Sequence, residues 1–405
     1  MTAPVRETDR DAPGGRRYAI VAGGGTAGHL QPALAIAEAL VARGHDRASI
    51  GFLGSERGQD AATLAGRGFP VTLLPGRGIV RSLAPRDLVR NVRSVGELVV
   101  AALRAVRVVG RARPRVVVAV GGYASLAGAV GALAHRVPLV LVNVDAVPGA
   151  ANRLFGRFAR ASAVGWEGTP LPRAVVTGTP VRPEIASVDR SPAGRAAARR
   201  QLGLSEGRTV VVAFGGSLGA RRINRAVDGV AERWAAREDL ALYHIVGRRD
   251  WDEYRDDRDR GADADRRLEL VRVPYEERMD AVYAAADVAV CRAGAMTVAE
   301  LAVAGVPAVL VPLPGAPGDH QTANARVLER VGAAVVLADP DCTPAGLGAI
   351  LEGLVAGPGR LGAMGRAARS VGRSDAADAG ARLVEASARP ADGGRGSGGG
   401  SGEAA

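Results

Sequence analysis

The chain contains no lysine; all 53 of its basic residues are arginine. Cysteine is nearly absent too. Cys291 and Cys342 are too few for a disulfide framework or a cysteine-rich metal site, and the pattern suits a reducing cytoplasm. No apolar run reaches membrane-spanning length without a charge, and the first residues alternate acid and base with no signal-peptide core. These absences argue against a secreted disulfide scaffold and an integral membrane protein. What remains is a chain of 405 residues, 47% hydrophobic, long enough for two domains with their own cores. Its formal charge of +11 makes acidic surfaces, nucleic acid and anionic lipid candidate partners. Exclusive use of arginine beside abundant Ala, Gly and Val tempers that inference, because it points to compositional drift as well as selection for charge.

The stretch 287–324, DVAVCRAGAMTVAELAVAGVPAVLVPLPGAPGDHQTAN, organises the rest. It reads as an apolar strand, a Gly turn at 292–297, an amphipathic helix, a second apolar strand and a Gly/Pro loop. In an open α/β sheet the end of a strand is where ligands bind, because backbone N–H groups and the helix dipole converge there. Glu300 falls about one turn into that helix, where a carboxylate can accept both hydroxyls of a ribose. The unit fits a nucleotide-diphosphate cradle; an ordinary strand–helix–strand crossover with a solvated Glu fits the spacing equally well.

Three more glycine loops follow the same logic. YAIVAGGGTAGHLQPALAIAEALVARG, from Tyr18, gives strand, loop and helix, with Pro32 expected in the first helical turn, where a missing N–H is harmless. Its Gly23, Gly25 and Gly28 satisfy the dinucleotide pattern G-x-G-x-x-G, and Glu56 after a strand at 49–53 could serve as the ribose acid of a nicotinamide-dependent oxidoreductase. Against that stands His29 at the helix start. It would crowd a pyrophosphate, but a helix N-terminus keeps an imidazole neutral and able to act as a base. A capping or core-packing histidine is the alternative. The second loop is Gly121-Gly122, after a strand at 116–120, and a further strand is expected at 139–143. The third, GGSLGARRIN, follows a strand at 208–214 and offers Ser217 and the N–H groups of 215–219 to a phosphate.

Between the first two loops, residues 76–115 carry ten Arg against Asp87 and Glu97, interleaved with Ile79, Val80, Leu83, Leu88, Val89 and Val92. Such a mixture suits an anionic bilayer, and equally a basic solvated helix whose apolar stripe faces its own sheet. Residues 174–185 read as a last strand running into a Pro-rich hinge at Arg182. Strands are expected at 242–246, 268–273 and 333–337, and mostly helix over 344–388.

Taken in order, GGGTAGHLQPALAIA, GGYASLAG, GTPVR, GGSLGARRIN, CRAGAMTVAEL and DHQTANA resemble the MurG family over nearly all of residues 18–375. The resemblance implies a GT-B fold, two Rossmann-like α/β domains facing a central cleft. The expected division is a disordered lead-in at 1–16, an acceptor- and membrane-facing domain at 17–182, a UDP-sugar domain at 183–388 whose last helix packs back on the first, and a Gly/Ser tail at 389–405. The implied activity is inverting transfer of GlcNAc from UDP-GlcNAc to the C4 hydroxyl of MurNAc in undecaprenyl-pyrophosphoryl-MurNAc-pentapeptide (lipid I to lipid II), at the cytoplasmic face of the membrane. Partners are then the donor, the lipid acceptor and an anionic membrane surface, not nucleic acid. No cofactor is implied, and no metal ion, since no Asp-x-Asp pair falls on a cleft loop.

Carried onto this chain, the family contacts are Thr26, Ala27, Gly28 and His29 in the first loop and Tyr123 in the second, facing the acceptor and sugar. Arg182, Ser217 and Gln321 match donor contacts. Ala295, Met296, Thr297, Val298, Ala299 and Glu300 form the nucleotide helix, with Glu300 on the ribose. Asp145 stands where the family pattern has a donor-contacting Asn; Glu276 and Leu218 are further departures. His29 is assigned as general base, and Asp145 is the next candidate.

Overall fold

The computed structural model describes residues 16–25, 27–56, 60–76, 85–216, 218–254 and 266–390, and of positions 27, 85–95 and 358 the backbone alone. Two wholly parallel sheets dominate it. The first has seven strands in the order β3-β2-β1-β4-β5-β6-β7: β1 (Ala19–Gly23), β2 (Ile50–Ser55), β3 (Val71–Leu74), β4 (Val116–Gly121), β5 (Leu139–Asn143), β6 (Ala161–Val164) and β7 (Ala174–Val176). The second has six in the order β10-β9-β8-β11-β12-β13: β8 (Thr209–Phe214), β9 (Leu240–Ile245), β10 (Glu269–Val273), β11 (Val288–Cys291), β12 (Ala308–Leu310) and β13 (Ala334–Val336). The facing pair of Rossmann-like sheets is the GT-B arrangement.

Central strands such as AIVAG in β1 and VVVAVG in β4 are buried throughout. They carry unbroken apolar runs because helices cover both faces of a parallel sheet. In each sheet the strand order reverses once, between β1 and β4 and between β8 and β11. The loops leaving those four strands therefore diverge to opposite faces and open a crevice between them. All four glycine loops singled out in the sequence fall at these two switch points.

Helices α1 (Ala27–Ala42), α2 (Asp60–Leu64), α3 (Pro85–Ala112) and α4 (Gly122–Ala134) serve the first sheet. Pro32 lies well inside α1 rather than in its first turn, because the helix begins at Ala27. Its missing N–H leaves the carbonyl of Gly28 without its i+4 donor. Helix α4 is built of small residues because it is squeezed: Gly128 lies where a Cβ would come 2.4 Å from the Cβ of Ala22, and Gly131 where one would come 2.9 Å from Val109.

Helix α3 buries Ala101, Ala105, Val109 and Ala112 and leaves Val99, Val100 and Leu103 each more than half exposed. Residues 77–84 and the side chains of 85–95, which hold Arg77, Arg81, Arg86, Arg90 and the apolar residues interleaved with them, lie outside the described residues. So do 255–265 in the charged run before β10.

The chain passes between the sheets more than once. Trp166, Val181 and Ile185 pack in the core of the second sheet, whereas β7 between them pairs with β6 of the first. At the far end the helix Ala376–Ser387 returns to the first sheet, burying Ala381 and Val384 in the cluster that contains α1. Arg43 bridges Asp378 at 2.9 Å and Glu385 at 2.8 Å across that contact. The expected lead-in and tail fall outside the described residues except Arg16, Arg389 and Pro390. Of these, Arg389 donates its N–H to the Arg115 carbonyl at 3.0 Å.

Candidate active site

A cleft of about 440 Å³ lies at the carboxyl ends of the strands, between the two sheets. Gly28, His29, Val144 and Asp145 line one wall, and Arg182, Glu276, Ala295, Met296, Thr297 and Glu300 the other. A larger surface depression of about 720 Å³ sits at the opposite edge of the first sheet, around Arg17, Val109, His135 and Arg389. It faces the strand beginnings, where no strand-to-helix loop delivers backbone donors, so the smaller cleft is the candidate site.

On the first wall the two glycine loops touch. Gly121 and Gly122 both have positive φ, 115° and 76°. A Cβ on Gly121 would stand 2.5 Å from Cδ2 of His29, and one on Gly122 would stand 2.3 Å from the carbonyl oxygen of Gly24. Only glycine lets the β4 loop lie flat against the imidazole. Burial lowers the His29 pKa below its ordinary value, Asp145 and Asp60 offset part of that, and His320 adds to the lowering. The imidazole is consequently neutral at pH 7 and faces two carboxylates.

The opposite wall is the start of the helix Ala295–Ala304. Its N-cap, Gly294, offers no side-chain acceptor, and the first intrahelical bond runs from Val298 N–H to the Gly294 carbonyl at 3.0 Å. The N–H groups of Ala295, Met296 and Thr297 thus have no acceptor within the helix and, with the helix dipole, form an anion-accepting end on the cleft. Val298 and Ala299 are core residues, buried against the second sheet, so their side chains do not reach the cleft.

The loop before this helix is tied down twice. Gln321 Oε1 accepts from Ala293 N–H at 3.2 Å and from Leu313 N–H at 3.0 Å, and Asn324 Nδ2 donates to the Ala293 carbonyl at 3.2 Å.

Glu300 projects from this helix with its side chain 12% exposed. Its Oε2 accepts the buried Tyr283 hydroxyl at 2.8 Å, and its Oε1 stands 3.9 Å from Arg182 Nε. Burial raises the Glu300 pKa, Tyr283 and Arg182 work against that, and Glu184 adds to it; the net direction is upward. Glu276, on the rim, goes the other way. Burial alone would raise it, but hydrogen bonds from Arg278 and Tyr243 hold it at about 2.

One assigned contact does not sit where the sequence placed it. Tyr123 turns away from the cleft: its hydroxyl lies 2.7 Å from the carbonyls of both Pro75 and Glu97 and ties α4 to the middle of α3 and the segment after β3. Thr26, Ser217 and the side chain of Ala27 lie outside the described residues. Glu56, the candidate ribose acid of the oxidoreductase reading, is exposed and stands 3.5 Å from Arg104. The acid that reaches the first loop is Asp60.

Two residues that the motifs did not single out prove central. Asp60 accepts the N–H of Gly25 in the first loop and that of Ser55 at the end of β2, and Asn324 joins the two walls. Asn324 is fully buried; its Oδ1 accepts Ala146 N–H at 2.7 Å and its Nδ2 donates to Asp145 Oδ1 at 2.9 Å. Asp145 is therefore held between a β5 loop of the first sheet and a helix of the second. The only signal for Asn324 in the sequence is its place at the end of DHQTAN; Asp60 has none beyond being an acid shortly after β2.

Comparison with known proteins follows the same outline. Residues 19–164 match the glycosyltransferase family 28 N-terminal domain and residues 210–379 the glycosyltransferase family 28 C-terminal domain. The UDP-N-acetylglucosamine–N-acetylmuramyl-(pentapeptide) pyrophosphoryl-undecaprenol N-acetylglucosamine transferase of Acidothermus cellulolyticus is 41% identical over 375 residues, covering 92% of this chain and 98% of that one. Its namesake from Desulforudis audaxviator is 36% identical over 372 residues, with 90% and 97% covered. The crystal structure of Acinetobacter baumannii MurG superposes with a TM-score of 0.73 at 28% identity, covering 92% and 99%. With both domains matched and near-complete coverage at this identity, the chain belongs to the MurG family.

Proposed function

We propose that the chain transfers GlcNAc from UDP-GlcNAc to the C4 hydroxyl of MurNAc in a lipid-linked, peptide-bearing acceptor, by a single displacement at the anomeric carbon. The observation that carries this reading is the opposition, across one cleft, of a neutral histidine and an uncapped helix N-terminus with a buried carboxylate one turn in. The two walls meet different needs of one reaction. The donor's diphosphate leaves with a developing negative charge, which the N–H groups of Ala295–Thr297 and the helix dipole stabilise together with the loop at 215–219. Oε1 of Glu300 takes the ribose hydroxyls.

The acceptor hydroxyl attacks from the face opposite the diphosphate. The new C–O bond forms as the bond from the anomeric carbon to the diphosphate oxygen breaks, UDP carries off the electron pair, and His29 receives the hydroxyl proton. The α-linked donor gives a β-linked product. Asp145, fixed by Asn324, favours the imidazolium formed in that step.

The acceptor's lipid tail requires a membrane surface. Among the described residues no helix is long and apolar enough to cross a bilayer. The exposed Val99, Val100 and Leu103 of α3, beside Arg107 and Arg111, suit contact with its surface. Incubation with radiolabelled UDP-GlcNAc and a lipid I analogue tests the proposal: label should move into the extractable lipid. Binding of UDP without any transfer to lipid would reduce the protein to a sugar-nucleotide-binding partner.

A further inference from the structure

We infer that Asp60 is a positioning residue for His29: its buried carboxylate clamps the glycine loop that leads into the helix carrying the imidazole, and so fixes a negative charge on the loop behind it. The inference deepens the general-base reading of His29 and rests on it for its catalytic meaning. Its physical content is separate, and can be measured without turnover.

The clamp is built from short contacts. Asp60 is 1% exposed and opens the short helix α2. Both of its oxygens accept the N–H of Gly25 at 2.9 Å, and Oδ2 also accepts the N–H of Ser55 at the end of β2, at 2.7 Å. A Cβ on Gly24, whose φ is +155°, would stand 1.9 Å from Oδ2. The carboxylate therefore packs directly on the loop backbone. Its partners are neutral N–H groups, and among the described residues no guanidinium neutralises it, so its charge acts on its surroundings.

A titratable group that feels this charge is His29. It is the third residue of α1, where the positive end of the helix and burial both disfavour the imidazolium. The charged and titratable groups facing it are Asp60 behind the loop, Asp145 after β5 and His320 on the helix His320–Arg330. The β4 loop brings only Gly121 and Gly122.

The two carboxylates are not equivalent. Asp145 is bonded to Asn324 across the cleft, so its position follows the relation between the two domains. Asp60 is carried by the same sheet as His29 and moves with it.

The test uses the full-length protein. Its five histidines make imidazole titration by NMR tractable, with His29 assigned as the resonance lost in His29→Ala. Asp60→Asn removes the charge and should move the His29 midpoint to lower pH; Asp60→Glu restores the charge and should move it back. In parallel, Asp60→Asn should lower kcat roughly tenfold or more at an almost unchanged donor KM, and shift the acidic limb of the rate profile in the same direction as the midpoint. If the Asn variant does not fold, Asp60→Ser, which keeps an acceptor without the charge, carries the same expectation.

A folded, uncharged variant with an unmoved His29 midpoint overturns the inference. Normal turnover in His29→Ala alongside a shifted midpoint would instead overturn the base assignment and leave the electrostatic link standing.

Discussion

Replacing Glu300 separates its two partners from each other. Oε2 already accepts the Tyr283 hydroxyl, which leaves Oε1 for the donor's ribose. A hydrogen bond to a charged, buried acceptor contributes about 1.5–3 kcal/mol, so two ribose hydroxyls on one oxygen should contribute about 3 kcal/mol, or roughly 10² in donor affinity. Glu300→Gln keeps a carbonyl oxygen for Tyr283 but turns an NH₂ group towards the ribose. Its melting temperature should stay near wild type while the UDP dissociation constant and donor KM rise about a hundredfold. Glu300→Ala should show the same loss and, in addition, a lower melting temperature, because the fully buried Tyr283 hydroxyl is left without its acceptor, at a cost of about 1–3 kcal/mol.

Adding Tyr283→Phe to Glu300→Ala should recover much of the stability and none of the affinity. Calorimetric titration with UDP, alongside thermal melts, reads both quantities. The pH dependence gives a further check on sign. Because burial raises the Glu300 pKa, the carboxylate should be lost, and donor affinity with it, at a pH above the ordinary glutamate range as acid is added. A folded Glu300→Gln protein that binds UDP within about threefold of wild type would remove Glu300 from the donor site.

Other expectations can be checked with the same protein. His29→Ala should cost about 10²–10⁴ in kcat, leave donor affinity nearly intact and abolish the acidic limb of the rate profile; a mutant that keeps both rate and limb would make Asp145 the next candidate base. Asn324→Ala should leave Ala146 N–H and Asp145 without a partner across the cleft, lowering the melting temperature and widening the distribution of domain separations in solution scattering; an unchanged profile would mean the bonds do not couple the domains. Sedimentation with anionic vesicles should weaken with salt, with charged substitutions at Val100 and Leu103, and by roughly fivefold for each of Arg77, Arg81, Arg86 and Arg90 replaced by Ala. Binding indifferent to all three would mean that this face is merely solvated.

The four glycine loops were legible because each follows an unbroken apolar run, and that pattern belongs to a central parallel strand. Strands β3 and β6 were not. VTLL is only half buried at the sheet edge, and ASAV is short and contains Ser162, so neither stands out by composition. Pro32 was misplaced by the same local logic: a proline near a loop suggests a helix start, whereas the glycines allow α1 to begin five residues earlier. Tyr123 was assigned to the cleft through the resemblance of GGYASLAG to the family pattern. Its direction depends on the carbonyls of Pro75 and Glu97, which local sequence does not place beside it.

By itself the sequence determined the strand–glycine-loop–helix units, their order and, through six motifs, the family. These are local features: apolar runs, φ-permissive glycines and the residue types that follow them act within one turn of the chain. Only the tertiary structure decided which groups share a charge environment. Asp60 lies 31 residues from His29, and Asn324 lies 179 from Asp145; parallel strands and their crossovers bring each pair together. Whether a buried carboxylate is raised, as Glu300 is, or held at about 2, as Glu276 is, likewise follows from the donors the fold supplies: one tyrosine for Glu300, and Arg278 with Tyr243 for Glu276. Hydrogen bonds and Coulomb fields act through space, and a linear chain does not record that distance.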